Sequence, residues 1–262
     1  SALLLAGYHY KKTAVEQVEQ VEQVEQVEQV EQVEQVAAKP VAEKVDFSQY
    51  AAGAERKKAF VKYFQPLIEA ENKAILVLRE KIIQAQKKAS KSSWLNKTTT
   101  AYRVVPFDVK NSQHWSELLS RVDIVPISLA LAQAANESGW GTSRFARQGN
   151  NFYGQWCYKK GCGIVPASRN KDAKHEVAAF KSPQQSVSRY IQNINSHPAY
   201  TELRGLRLKL RQQQQPITGV ALAAGLMNYS ERKGEYIKEL RAMIKHNHWA
   251  QLDLRNQKSV IQ

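Results

Sequence analysis

The chain of 262 residues is poor in cysteine: it has two, Cys157 and Cys162. That excludes a small scaffold stapled by several disulfides, and no convincing four-ligand set for zinc accompanies them, so no metal and no other cofactor is expected. Long hydrophobic runs are absent after the first few residues, which excludes a transmembrane helix there. The segment Val15–Val36 has no lysine or arginine and seven glutamates. No recognisable reading motif supports specific nucleic-acid recognition.

What is present is ordinary for a globular domain: 43% of residues are hydrophobic, enough for a sizeable core. Net charge is +14, and leaving out the acidic Val15–Val36 segment raises it to +21. Such a surface favours polyanions, including nucleic acid, anionic envelope surfaces and the carboxylate-bearing peptides of a bacterial wall, and charge alone does not choose among them.

Organisation along the chain is uneven. Residues 1–12, SALLLAGYHYKK, resemble the end of a signal or anchor segment that has lost its start, which implies export to the periplasm or cell envelope. Residues 13–44 form a low-complexity spacer dominated by a Val-Glu-Gln repeat. Its period of three matches neither a coiled-coil heptad nor an amphipathic helix. Residues 45–114 read as a helical extension, with apolar residues at helical spacing from Glu55 to Ala89 and Pro66 as a kink or break. The polar run Lys87–Thr100 reads as a connection. Residues 115–250 read as the main domain, and 251–262 as a tail.

Within the main domain, Val125–Ala135 predicts a helix stopped by Gly139 and Gly141, which leaves Glu137 at its exit. Apolar surroundings and the negative end of the helix dipole both disfavour a carboxylate there, so Glu137 is expected to titrate above an ordinary glutamate and to serve as a general acid. Behind it Trp140, Asn150, Asn151, Tyr153 and Trp156 gather aromatic and amide groups of the kind that line carbohydrate clefts. Each also has a plain role open to it, in the core or in a turn. The stretch Phe152–Phe180 suits a small antiparallel lobe. Further helices are expected at Ser182–Asn195, Thr201–Gln212, Pro216–Met227 and Gly234–Asn247. The spacing WCYKKGC suits a small disulfide loop between Cys157 and Cys162; free thiols, or a metal site with His175, are the other readings.

Four segments carry a resemblance: Arg121–Trp156, with its Glu-Ser-Gly-Trp-Gly box and NNFYG piece; Phe180–Tyr190; NINSHPAY at Asn193–Tyr200; and YSERKGEYIKEL at Tyr229–Leu240. Together they resemble the glucosaminidase domains that cut the glycan of peptidoglycan. The resemblance implies a mainly α, lysozyme-like helical domain with a small β lobe, preceded by the low-complexity spacer. It implies Glu137 as the catalytic acid and Tyr229 as a cleft tyrosine that positions the sugar or its acetamido group; with the residues gathered behind Glu137, the expected contacts to peptidoglycan glycan strands are Trp140, Asn151, Tyr153, Trp156 and Tyr229. Tyr153 takes the place where the family has Phe. A second carboxylate is expected from the β lobe, Glu176 ahead of Asp172, unless the substrate's own N-acetyl group does that work. Two other functions compete: a lytic transglycosylase, and a wall-binding module without turnover. The expected particle is a monomer with peripheral contact to anionic envelope surfaces.

Overall fold

The computed structural model describes residues 44–89, 91–167, 175–230 and 232–254. The leader-like segment, the Val-Glu-Gln array and Asp172 lie outside the described residues. The architecture is mainly α with a small three-stranded antiparallel sheet.

After a single 3-10 turn, Phe47–Gln49, helix α1 spans Ala54–Lys87 without a break at Pro66. Phe60, Phe64, Ile68, Ile75 and Ile82 repeat every four or seven residues and are all buried. Five such side chains, at roughly 1.5–3 kcal/mol each, outweigh the ~3 kcal/mol that an interior proline costs, which is why the helix neither splits nor ends there. The segment expected as a connection is in part helical, α2 (Ser93–Ala101). The Ser92 hydroxyl accepts from the Leu95 amide at 3.3 Å, and Leu95 and Thr99 are buried, so a cap and local burial override a polar composition. Helix α3 (Ser112–Arg121) buries Trp115 and Leu118.

Helix α4, Ile127–Ser138, is the centre of the molecule: residues 127–135 are all buried, and α1 and the later helices Gly219–Leu222 and Lys233–His246 pack around it. A helix apolar on every side is one enclosed on every side. Pro126 stands at its N-cap, and Gly139, left-handed at φ 57°, closes it one turn beyond the expected Ala135. Glu137 therefore sits inside the last turn. Helix α5 (Arg144–Gly149) follows.

The sheet is formed by β1 (Trp156–Cys157), β2 (Gly163–Ile164) and β3 (Glu176–Ala178), in the order β1-β3-β2, with Trp156 opposite Val177 and Gly163 opposite Ala178. Cys157 and Cys162 are disulfide-bonded. Helix α6 (Pro183–Ser196) starts at a Ser182 cap, and α7 covers Thr201–Gln212. The helix expected over Pro216–Met227 is shorter, α8 (Gly219–Leu222) running into a 3-10 turn at Ala223–Leu226. Helix α9 is Lys233–His246.

Three polar clamps fix the N-terminal end of α4. Asn72 of α1 donates to the Val125 carbonyl at 2.8 Å and accepts from its amide at 3.1 Å. Buried Asp123 meets Arg211, Arg207 and Arg79; burial alone would raise its carboxyl, but these three guanidinium groups hold it below the usual range. Asp253, from the segment expected as a tail, is buried and accepts from the Ser128 amide (2.9 Å), the Ser128 hydroxyl (2.6 Å) and the Gly219 amide (2.9 Å). From the other side Phe47 and Phe64 pack on Phe152, so the N-terminal helical extension shares a hydrophobic core with the residues that follow.

Candidate active site

The clamps hold α4 so that its last turn presents Glu137 at the edge of the core. The carboxyl is pushed above the ordinary glutamate value by loss of water around it; hydrogen bonds from Tyr236 and Asn136 oppose the shift, and the nearby charge of Glu239 adds to it. The Tyr236 hydroxyl donates to Glu137 Oε1 at 2.9 Å.

Glu137 Oε2 faces the loop that leads into the sheet. Gly154 is left-handed there, at φ 64°, and a Cβ on it would stand 3.4 Å from Oε2. Asn151 builds that loop: buried, it donates to the carbonyls of Gln155 (2.8 Å) and Ala178 (2.9 Å), while its oxygen accepts from the amides of Tyr153 (3.3 Å) and Gln155 (3.1 Å). Both ends of its side-chain amide are thus spent on backbone.

The wall beside Glu137 is made of tyrosines. Tyr153 is buried and stacks on Tyr190 at 3.9 Å between ring centroids. Tyr229 is half-buried, donates to the Tyr153 carbonyl at 2.9 Å and stacks on Tyr236 at 5.5 Å. Removal from water pushes the phenols of Tyr190, Tyr229 and Tyr236 well up, so they remain hydroxyl donors across any ordinary pH. The structure thus brings together Glu137, Tyr229 and the loop carrying Asn151 and Tyr153.

Other residues singled out from the sequence are placed differently. The Trp140 ring packs against Phe60 (5.6 Å) and Trp249 (5.9 Å), with the Lys57 ammonium 5.2 Å above it. Trp156, on β1, is 56% exposed and lies flat against His175, with 4.3 Å between centroids. Glu176 is buried in β3, where its carboxylate accepts from the amides of Gly161 (3.0 Å) and Gly163 (2.9 Å) and so braces the disulfide loop. Potential ligand atoms of Cys157, Cys162 and Glu176 come within 4.8 Å of one another, but the two sulfurs are bonded to each other and offer no thiolate.

Sequence reasoning missed Tyr236, Gln133 and Tyr190. Gln133 is fully buried, donates to the Tyr236 hydroxyl (3.2 Å) and accepts from that of Tyr190 (2.6 Å). A signal for it existed: a long amide in a run that is otherwise almost wholly apolar requires internal partners.

Residues 112–249 match the family model Glucosaminidase, described as mannosyl-glycoprotein endo-beta-N-acetylglucosaminidase. Over 206 residues the chain is 36% identical to Protein bax of Escherichia coli (strain K12), an alignment covering 77% of this chain and 73% of that protein. No solved structure matches the chain.

Proposed function

Since the chain belongs to the glucosaminidase family, we propose that it is a peptidoglycan hydrolase of the endo-β-N-acetylglucosaminidase type, in which Glu137 protonates the leaving glycosidic oxygen. One observation carries the reading: Glu137 is half-buried, its carboxyl is held above its ordinary value by that burial, and it stands on the tyrosine-lined side of the loop at Gly154. A carboxyl that keeps its proton toward neutral pH is the group a leaving alkoxide needs.

The positive charge that develops at the anomeric carbon needs a second group. Glu176 was the expected source, but its carboxylate is taken up by the amides of Gly161 and Gly163. That arrangement favours the substrate-assisted route, in which the N-acetyl oxygen attacks the anomeric carbon and Tyr229, beside Glu137, orients the acetamido group. Trp156, with one indole face against His175 and most of the side chain open, suits a sugar platform further along the glycan strand. Asn151 and Tyr153 act on the cleft by shaping its loop. The Cys157–Cys162 disulfide is consistent with work in the periplasm or envelope. The basic surface suits peripheral contact with anionic envelope material, and a monomer suffices for the site as described.

The test is digestion of purified sacculi by the native protein and by Glu137→Gln, with the fragments read by mass. The proposal expects reducing N-acetylglucosamine ends from the native protein and none from the variant. Anhydro-muramic ends would make it a lytic transglycosylase; binding without product would make it a wall-binding module.

A further inference from the structure

The polar groups behind Glu137 form a chain with a direction. The Tyr190 hydroxyl lies 2.6 Å from Gln133 Oε1, and Gln133 Nε2 lies 3.2 Å from the Tyr236 hydroxyl. The first separation suits O–H···O and the second N–H···O, which fixes the way round of the amide. Tyr236 has a single hydroxyl hydrogen. With the Gln133 amide donating to its oxygen, that hydrogen goes to Glu137 Oε1 at 2.9 Å. Gln133 is completely buried and Tyr190 nearly so, leaving no water to reverse the order.

We propose that Gln133 and Tyr190 are positioning residues that decide which oxygen of Glu137 holds the acid hydrogen: the chain Tyr190→Gln133→Tyr236→Glu137 makes Oε1 the acceptor and leaves the hydrogen on Oε2. In a protonated carboxyl the carbonyl oxygen accepts and the other oxygen carries the hydrogen. Oε2 is the atom that faces Gly154, where the missing side chain keeps the approach open. The side chain of Asn136 also donates to the carboxylate, but its amide carries an oxygen as well and can accept once the carboxyl is protonated, so it does not by itself choose the oxygen that holds the hydrogen. Turned round, Gln133 would accept from Tyr236, Glu137 would lose its donor, and its hydrogen could point inward to the Tyr236 oxygen instead of outward. Neither Gln133 nor Tyr190 touches substrate in this scheme; both act through Tyr236.

This inference rests on the reading of Glu137 as the acid, and the experiment separates the two. Infrared difference spectra, taken where Glu137 is protonated and the protein folded, isolate its carboxyl C=O band as the one lost in Glu137→Gln. A carbonyl that accepts from Tyr236 vibrates at lower wavenumber than a free one. In Gln133→Met and Tyr190→Phe the band should move to higher wavenumber. On solubilised peptidoglycan kcat should fall about tenfold, the rate equivalent of one such hydrogen bond, at unchanged KM. Tyr190→Phe keeps the stacked ring, so it remains informative if Gln133→Met does not fold. An unmoved band and undiminished kcat in a folded variant would overturn the inference, as would a shift to lower wavenumber. Full activity in Glu137→Gln would overturn the acid role instead, while the band would still report which oxygen carries the hydrogen.

Discussion

Replacing Tyr236 by Phe removes one hydroxyl from the link between the core and Glu137. Two groups lose a partner: Glu137 Oε1, bonded at 2.9 Å, and Gln133 Nε2, bonded at 3.2 Å and fully buried. A buried donor left unsatisfied costs ~1–3 kcal/mol, so the variant should be less stable by about that amount. The effect on Glu137 has a definite sign. Tyr236 favours the carboxylate, so without it the carboxyl, already raised by burial, rises further. The remaining neighbours do not reverse this: Glu239 disfavours the charge, and the phenols of Tyr190, Tyr200 and Tyr229 stay neutral with raised values of their own. Only the Asn136 hydrogen bond still favours the carboxylate.

A general acid works while protonated, so its ionisation forms the alkaline limb of kcat/KM against pH. Tyr236→Phe should shift that limb to higher pH. It should also lower the plateau roughly tenfold to a hundredfold, the rate equivalent of ~1.4–3 kcal/mol of lost positioning. The assay is release of soluble fragments from sacculi across a pH series, alongside thermal melts. A limb that moved to lower pH, or one that stayed in place in a variant as stable as the parent, would refute the reasoning.

Asp253→Asn removes acceptor capacity from the Ser128 amide and hydroxyl at the start of α4 and from the Gly219 amide at the start of α8, and should destabilise by ~1–3 kcal/mol, seen as a lower urea midpoint at unchanged slope. Replacing Cys157 and Cys162 together by Ser should cost about 2 kcal/mol, from the loop-closure entropy of so short a loop, measured by urea unfolding. Glu137→Gln should change stability with pH in a set direction. The folded-state value is raised, so the native protein binds more protons than the unfolded chain in the window above the ordinary 4.5, and native stability falls as pH rises through it. The variant has no such loss. Its melting temperature should match the parent's below that window and exceed it above, and a gap of opposite sign would show that the carboxyl is not raised.

The helical frame was legible where local signals agreed. Pro126 and Gly139 bracket an apolar run, Ser182-Pro183 opens α6, and Thr201–Gln212 has the bounds expected of it. Legibility failed at α2, where nothing in a polar run announces that Leu95 and Thr99 find burial. Around Glu137 the difficulty was direction. Trp140 is three residues away in sequence, yet the left-handed turn at Gly139 and Trp140 itself carries its ring back to Phe60 and Trp249. Asn151 looked like a ligand for sugar hydroxyls, but its register places all its polar atoms on backbone. Tyr236 and Tyr190 reach Glu137 across 99 residues and through Gln133 respectively, separations that no local pattern encodes.

The acid role of Glu137 is tested most directly by how its loss depends on the leaving group. Glu137→Gln should cut turnover of a chitooligosaccharide about 10²–10⁴-fold, yet leave turnover of a dinitrophenyl glycoside of the same sugar far less affected, because that leaving group departs without a proton. Equal losses on both substrates, or no loss on either, would contradict the account.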